Sequence, residues 1–162
     1  MRVGWGFDAH RLNDSGPLRI CGVVVAQDQG VEATSDGDVA LHAVGDALLG
    51  AGALGDLGEH FPSSDERWHD CDSGEIVTEV VKLLSAIDLR VRQIDVTVLA
   101  QSVRIAPYRH EMRERLAALL AIPLDRVSVK ATTTDRLGFI GSEEGIGAVA
   151  AVTISSIGSA TD

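Results

Sequence analysis

Two histidines and several aspartates stand at spacings that can do chemistry. Asp8 and His10 are separated by a single residue, in a stretch where β-branched and aromatic residues alternate with glycine. On a strand, the period of two sends both side chains to one face. His42 and Asp46 are four apart in a segment of helical spacing, on the polar stripe that also carries Asp38. Two imidazoles and a carboxylate suit a zinc ion. Three protein ligands leave the fourth tetrahedral position for a substrate oxygen, which is the form of a catalytic zinc site. The D-x-H spacing alone is unspecific, and it fits a chance pairing of a strand and a helix as well. His60, His69 and His110 read as surface or loop histidines.

A second cluster is Lys130-Ala131-Thr132-Thr133-Thr134-Asp135. Consecutive hydroxyls and backbone N–H groups can surround phosphate oxygens, and a carboxylate beside them can hold Mg²⁺. The same residues also read as a β-forming threonine run with a polar end. Gly55-Asp56-Leu57-Gly58 is either a turn or a ligand loop, and Cys71-Asp72-Ser73 reads as a loop end and helix cap. Cys21 and Cys71 form no C-x-x-C pair and are taken as ordinary thiols.

These residues need elements to hold them. The pattern predicts a strand over residues 2–10 and a second extended piece over 18–25, then a loop over 26–37. Asp38 is a good N-cap for a helix to about residue 52, with Ala40, Leu41, Val44, Ala47 and Leu48 on its apolar face. A long polar loop over 55–72 precedes a helix from about residue 73. A buried strand over 94–100 follows, and Pro107 opens a third helix. Strands over 127–133 and 148–157 close the chain. The order fits one α+β domain over 1–162, two-layered, with helices on one face of a mixed β-sheet. Strand interiors are apolar or small on both faces, so the face away from the helices is expected to meet other subunits.

Composition limits the partners. The 162 residues carry 14 Lys+Arg against 24 Asp+Glu, a formal charge of -10, with no basic tract, which argues against a nucleic-acid partner. Hydrophobic residues at 45% and charged residues at 23% are those of a folded domain rather than a disordered chain. No apolar run approaches the roughly 20 residues of a membrane span, and the N-terminus lacks a secretory signal, so a cytoplasmic protein without a membrane partner is expected.

Taken in order, the motifs Gly6-Phe7-Asp8-Ala9-His10, Ser35-Asp36-Gly37-Asp38-Val39-Ala40-Leu41-His42, Gly55-Asp56-Leu57-Gly58, Phe61-Pro62, Lys130-Ala131-Thr132-Thr133-Thr134 and Glu144-Gly145-Ile146 closely resemble the 2-C-methyl-D-erythritol 2,4-cyclodiphosphate synthase family, from residue 2 to about 155. The resemblance implies a lyase of the non-mevalonate (MEP) route to isoprenoid and terpenoid precursors. Its substrate is 4-diphosphocytidyl-2-C-methyl-D-erythritol 2-phosphate, and CMP leaves as the cyclic diphosphate forms. It also implies a homotrimer with the sheets around a threefold axis and active sites between neighbouring subunits.

By position, the resemblance makes Asp8, His10 and His42 the zinc ligands, and Asp135 the ligand of a Mg²⁺ or Mn²⁺ that arrives with substrate. Thr133 matches a threonine that stabilises the transition state. Asp8, Ala9, His10, Thr34 and Ser35, with Asp56, Leu57 and Gly58 and with Phe61, Pro62, Ser63, Ser64 and Asp65, match the surroundings of the methylerythritol phosphate. Ala100, Gln101, Ser102, Val103, Arg104, Ile105 and Ala106, with Ala131, Thr132, Thr133 and Thr134, match a cytidine pocket supplied by the adjacent subunit. Phe139 and Ser142 complete the substrate-facing set. From its i, i+4 spacing, Asp46 is expected to orient a ligand histidine and so to belong with the catalytic group.

Several residues depart from the family pattern. Thr34 replaces a histidine before S-D-G-D that helps stabilise the transferring phosphate, so a hydroxyl stands where a charge would be. Ser63 replaces an acidic residue, Asp135 replaces a glutamate, and Val103-Arg104 replaces Pro-Lys with the positive charge retained. Ser142 replaces an arginine near the threefold axis, which removes cations from a cavity suited to prenyl diphosphates and leaves Glu144 without that partner. Thr34, Ser63 and Ser142 motivate an alternative: a metal-binding trimer that keeps the fold but serves a binding or structural role.

Overall fold

The structure is a computed structural model, and it describes residues 1–33 and 35–158. Strand β1 (Arg2–Asn13) leads into a hairpin of β2 (Leu18–Ile20) and β3 (Val23–Ala26), then the short β4 (Gly30–Val31). Helix α1 (Val39–Gly52) and the single turn α2 (Leu57–His60) are followed by α3 (Ser73–Ala86), β5 (Leu89–Leu99) and α4 (Arg109–Leu120). Strand β6 (Val127–Thr132), the single turn α5 (Gly138–Gly141) and β7 (Gly145–Ser156) complete the chain.

The main sheet runs β4-β1-β7-β5-β6. All neighbours are antiparallel except β5 and β6. That parallel pair requires a crossover, and α4 supplies it. Helix α1 lies across β1, β7 and β5, α3 packs beside it, and α4 covers β6. The two-layer α+β expectation therefore holds for the chain.

Elements absent from the sequence reading are short ones. Residues 26–37 contribute β4, which pairs with the end of β1 at Leu12↔Val31 and Asn13↔Gly30. The polar stretch over 55–72 contains α2 and a 3-10 turn at Glu66–Trp68. Pro107 lies in a separate 3-10 turn, Ala106–Tyr108, and α4 proper starts after it.

Asp38 caps α1 by accepting from the amides of Ala40 and Leu41. It is also fully buried and accepts from Cys21 and Gly22, so it ties the β2–β3 hairpin to the helix start. It thus points inward and does not share the stripe of His42 and Asp46. The helix it starts is buried on nearly every side, because sheet, α3 and hairpin surround it. His42, Asp46 and Gly50 are the positions of α1 that escape full burial, four residues apart each time.

Strand β1 alternates between buried and exposed positions over residues 3–7. Gly4 and Gly6 face α1, and a Cβ on either would lie 1.8 Å from the carbonyl oxygen of Ala47 or 2.1 Å from that of Ala43. Only glycine allows this approach. The same alternation brings Asp8 and His10 to the helix side, while Val3, Trp5 and Phe7 stand on the opposite face at 70%, 64% and 46% exposure. That face is apolar, and among the described residues the helix found against it is the single turn α5, whose Ile140 lies beside Gly147 at one end.

Candidate metal centre

The step of two along β1 and the step of four along α1 converge at Asp8. Going up the strand, Gly4 meets Ala47 and Ala51, Gly6 meets Ala43 and Ala47, and Asp8 then meets His42. Asp8 Oδ2 lies 2.9 Å from His10 Nε2 and 3.0 Å from His42 Nδ1. The two imidazole nitrogens are 3.1 Å apart and their rings are edge-on at 81°. Asp8 Oδ1 turns away and accepts from the amide of Ala9 at 2.8 Å, which fixes the rotation of the carboxylate.

Without a metal, both nitrogens must turn their protons onto the single Asp8 Oδ2, which crowds the two N–H groups together. A cation at their centre satisfies all three. Zinc with bonds of 2.0–2.1 Å in tetrahedral geometry separates its ligands by about 3.3 Å, close to the spacing here. The residues fit a metal ion, and this is the group among the described residues with donors so placed.

Burial alone would raise the Asp8 carboxyl, but hydrogen bonds from His10 and His42 outweigh it and hold it well below the usual carboxylate range. For His42, burial opposes the charged ring, yet the Asp8 hydrogen bond and the charges of Asp8, Asp38 and Asp36 together raise its pKa above 6.5. A histidine raised in the folded state contributes stability that is fully present below the unfolded value and is lost as pH rises through the folded one. Metal-free protein should therefore melt at a higher temperature at about pH 6 than at about pH 8. Added zinc should stabilise more at the higher pH, because it needs the Nδ1 proton gone. Melting curves with a chelator and with zinc check both signs, and a metal-free midpoint that ignores pH across that window counts against the Asp8–His42 pairing.

The far side of His42 is equally ordered. Its Nε2 lies 3.0 Å from Ser35 Oγ and 3.0 Å from Ser73 Oγ. This overturns the role expected of Asp46, whose Oδ1 accepts from the Leu57 amide at 2.9 Å instead. The carboxylate is used to hold the N-terminus of α2, where an orphan amide is available. Burial raises its pKa, and nearby Asp56 and Asp8 add to that against the Leu57 N–H.

A cleft of about 530 Å³ opens over the metal group, lined by His10, Ser35, His42, Leu57, Gly58, Phe61, Pro62, Ser63, Trp68 and Ile76, among others. That volume suits a small molecule. Sequence reasoning missed Trp68 and Ile76; Trp68 stacks edge-on against Phe61 at 4.9 Å, and only this tertiary contact reveals it. Asp65 does not line the cleft, because it caps the 3-10 turn and pairs with Arg67. Asp56 caps α2 rather than forming an open loop. Ser64 is exposed outside the lining. Thr34 lies outside the described residues.

The second predicted cluster sits elsewhere. Ala100, Gln101, Ser102, Val103 and Arg104 share a recess with Ala131, Thr132 and Thr133, and that recess has no residue in common with the metal cleft. Ile105 does not join it, since its side chain is 2% exposed and belongs to the core. Asp135 and Arg136 both adopt positive φ, a tight turn in which the Arg136 amide donates to Gln101 Oε1 at 3.1 Å. The Asp135 amide donates to Thr133 Oγ1 at 3.3 Å, and Thr134 Oγ1 donates to the Leu137 carbonyl, which turns Thr134 back into its own loop. Phe139 borders a small recess with Ala9, His10, Arg11 and Glu144. Ser142 donates to Glu144 Oε1 at 2.7 Å, so Glu144 is paired by the residue that replaces the arginine. Among the described residues no helix is long and apolar enough to cross a membrane.

A profile of the YgbB family matches residues 1–155. The 2-C-methyl-D-erythritol 2,4-cyclodiphosphate synthase of Salinibacter ruber is 49% identical over 156 residues, covering 96% of this chain and 99% of that protein. A solved structure of a synthase of that name in a CDP-bound form is 33% identical with a TM-score of 0.87, over 95% of this chain and 100% of the other. The bifunctional IspDF from Campylobacter jejuni is 36% identical with a TM-score of 0.92; the match covers 96% of this chain and 42% of that one.

Proposed function

The chain belongs to the YgbB family, and from that premise and the Asp8–His10–His42 cradle we propose that it makes 2-C-methyl-D-erythritol 2,4-cyclodiphosphate. The substrate is 4-diphosphocytidyl-2-C-methyl-D-erythritol 2-phosphate. An oxygen of the 2-phosphate bonds to the β-phosphorus, the bond from that phosphorus to the bridging oxygen breaks, and CMP leaves with the electron pair. The convergence of the three ligand atoms at 2.9 to 3.1 Å is the observation that carries this reading.

No side chain need form a covalent bond to substrate. The work is to fold back a flexible, highly charged molecule and to offset charge as it moves, which positioning and fixed dipoles can supply. Ser35, Leu57, Gly58, Phe61 and Pro62 would hold the methylerythritol end, with the aromatic wall excluding water. Thr133 would donate to a diphosphate oxygen, and the recess of Ala100 to Arg104 with Ala131 and Thr132 would take the cytidine. Zinc at Asp8, His10 and His42 would draw electron density from a β-phosphate oxygen, and Mg²⁺ or Mn²⁺ at Asp135 would offset charge on the departing CMP.

Cleft and cytidine recess are separate on one chain, and Val3, Trp5 and Phe7 present an exposed apolar face. Both features support a homotrimer in which the sheets meet and each active site draws its cytidine recess from a neighbour. A cytoplasmic setting suits the substrate, which cannot cross a membrane unaided. Release of CMP from the substrate with zinc and magnesium tests the reading: steady turnover is expected, and none above background at saturating metal leaves the non-catalytic alternative.

A further inference from the structure

We propose that Asp36 and Ser73 are positioning residues that fix the tautomer of His42, keeping its proton on Nε2 and the Nδ1 lone pair aimed at the metal. The proposal rests on the reading that Asp8, His10 and His42 hold a metal ion.

Ser73 is fully buried at the start of α3, yet it is not the cap of that helix: Asp72 takes that role by accepting from the Gly74 amide at 2.7 Å. Its hydroxyl instead points at two partners. Ser73 Oγ donates to Asp36 Oδ1 at 2.5 Å, and the same oxygen lies 3.0 Å from His42 Nε2. An ionised carboxylate accepts only, so the serine proton is committed to Asp36. What Ser73 then offers His42 is a lone pair. The imidazole must meet it with N–H at Nε2, so the position left for a metal is Nδ1, whose proton Asp8 Oδ2 accepts at 3.0 Å until a metal displaces it.

Ser35 Oγ is as near to Nε2 but enforces nothing, because its proton has no fixed acceptor: the Gly37 amide donates to it at 3.3 Å and Ser73 Oγ lies 3.4 Å off. The chain holds the Asp36–Ser73 pair in place from the backbone too. The Asp36 amide donates to the Cys71 carbonyl at 3.1 Å, and Asp36 Oδ1 also accepts from the Asp38 amide at 3.3 Å. The turn before α1 and the turn before α3 are thereby pinned together, with His42 between them. A metal-bound histidine whose other nitrogen is held by a partner is the usual way to set ring orientation and ligand basicity.

The informative variant is Asp36→Ala, which leaves Ser73 and Ser35 in place but frees the Ser73 proton to donate to Nε2. Ser73→Ala removes the acceptor outright. Zinc affinity measured by chelator competition should fall on the order of 10- to 100-fold in either. Histidine ¹⁵N spectra of the metal-free proteins, with His42 assigned by its loss in His42→Ala, should show Nε2 protonated in the wild type and a shift toward a bare Nε2, with the proton on Nδ1 alone, in Asp36→Ala. Ser73→Thr, which keeps the hydroxyl, should recover affinity to the extent that it folds. Folded Asp36→Ala and Ser73→Ala proteins with wild-type tautomer and wild-type zinc affinity would overturn the proposal. A lower melting temperature without a tautomer change likewise reduces both residues to a structural role and overturns it. A wild type that takes up no zinc overturns the metal reading instead, and the tautomer arm still reads the Asp36–Ser73 pair separately.

Discussion

Replacing His42 by alanine should remove metal uptake and CMP release together while leaving the fold standing. Two of three ligands remain, Asp8 and His10, both on β1 and both lying across from the vacated position. Two ligands hold zinc poorly, and the lost Lewis acid takes several kcal/mol of transition-state stabilisation with it. At 1.36 kcal/mol per factor of ten, a loss of about 4 kcal/mol means a rate down on the order of 1,000-fold. The helix itself should tolerate the change, because alanine is the best helix former and His42 is one of the few α1 positions not fully buried. The hydrogen bonds it gives up are worth about 1 kcal/mol each. Zinc content after dialysis, CMP release and thermal melting on one preparation separate the outcomes. One equivalent of zinc retained, or CMP released at the wild-type rate, sinks the assignment of His42 as ligand.

Each half of the metal group was legible because it depends on a short-range period, while the meeting of the two halves was implied only by the family resemblance. Asp8 and His10 share a strand face whatever the rest of the chain does, and Asp38 as N-cap fixes where His42 falls on α1. What was not legible is which partner each polar group chooses across the fold. Asp46 has the spacing to serve His42, but the unpaired amide of Leu57 at the start of α2 takes its carboxylate. Ser73 has the sequence of a helix cap, and only the packing of α3 beside α1 shows it turned inward onto His42. Strand β4, two residues long, carries no periodicity to read. The surplus of acid also changes meaning. Its useful members, Asp8, Asp36 and Asp38, are buried or half-buried acceptors that hold histidines, hydroxyls and amides in place. Carboxylates that hold cations turn an acidic protein into one that can bind phosphates.

Gly6→Ala should cost both stability and the metal, although the residue touches neither. Its new methyl group would stand 2.1 Å from the Ala43 carbonyl oxygen and 2.7 Å from the Ala47 amide nitrogen. Both are backbone atoms of α1, so no side chain can swing aside, and strand and helix must part by about 1 Å to restore contact distance. Overpacking costs about 1–3 kcal/mol where side chains can adjust. Here the upper end, about 3 kcal/mol, is the expected minimum, a fall in melting temperature of roughly 6–12 °C for a domain of this size. The displacement acts at the site because Asp8 lies two residues further along the same strand, 3.0 Å from His42 Nδ1 on the same helix. Separating β1 from α1 opens the cradle between the ligands that each contributes, so zinc affinity should fall with stability. Gly50→Ala provides the contrast: that glycine is exposed on α1 with nothing within 4 Å of a Cβ, and the change should stabilise by about 1 kcal/mol through helix propensity. Melting and zinc titration of the two variants decide the matter. A Gly6→Ala protein with wild-type midpoint and wild-type zinc affinity would show that the β1–α1 contact is not what brings Asp8 to His42.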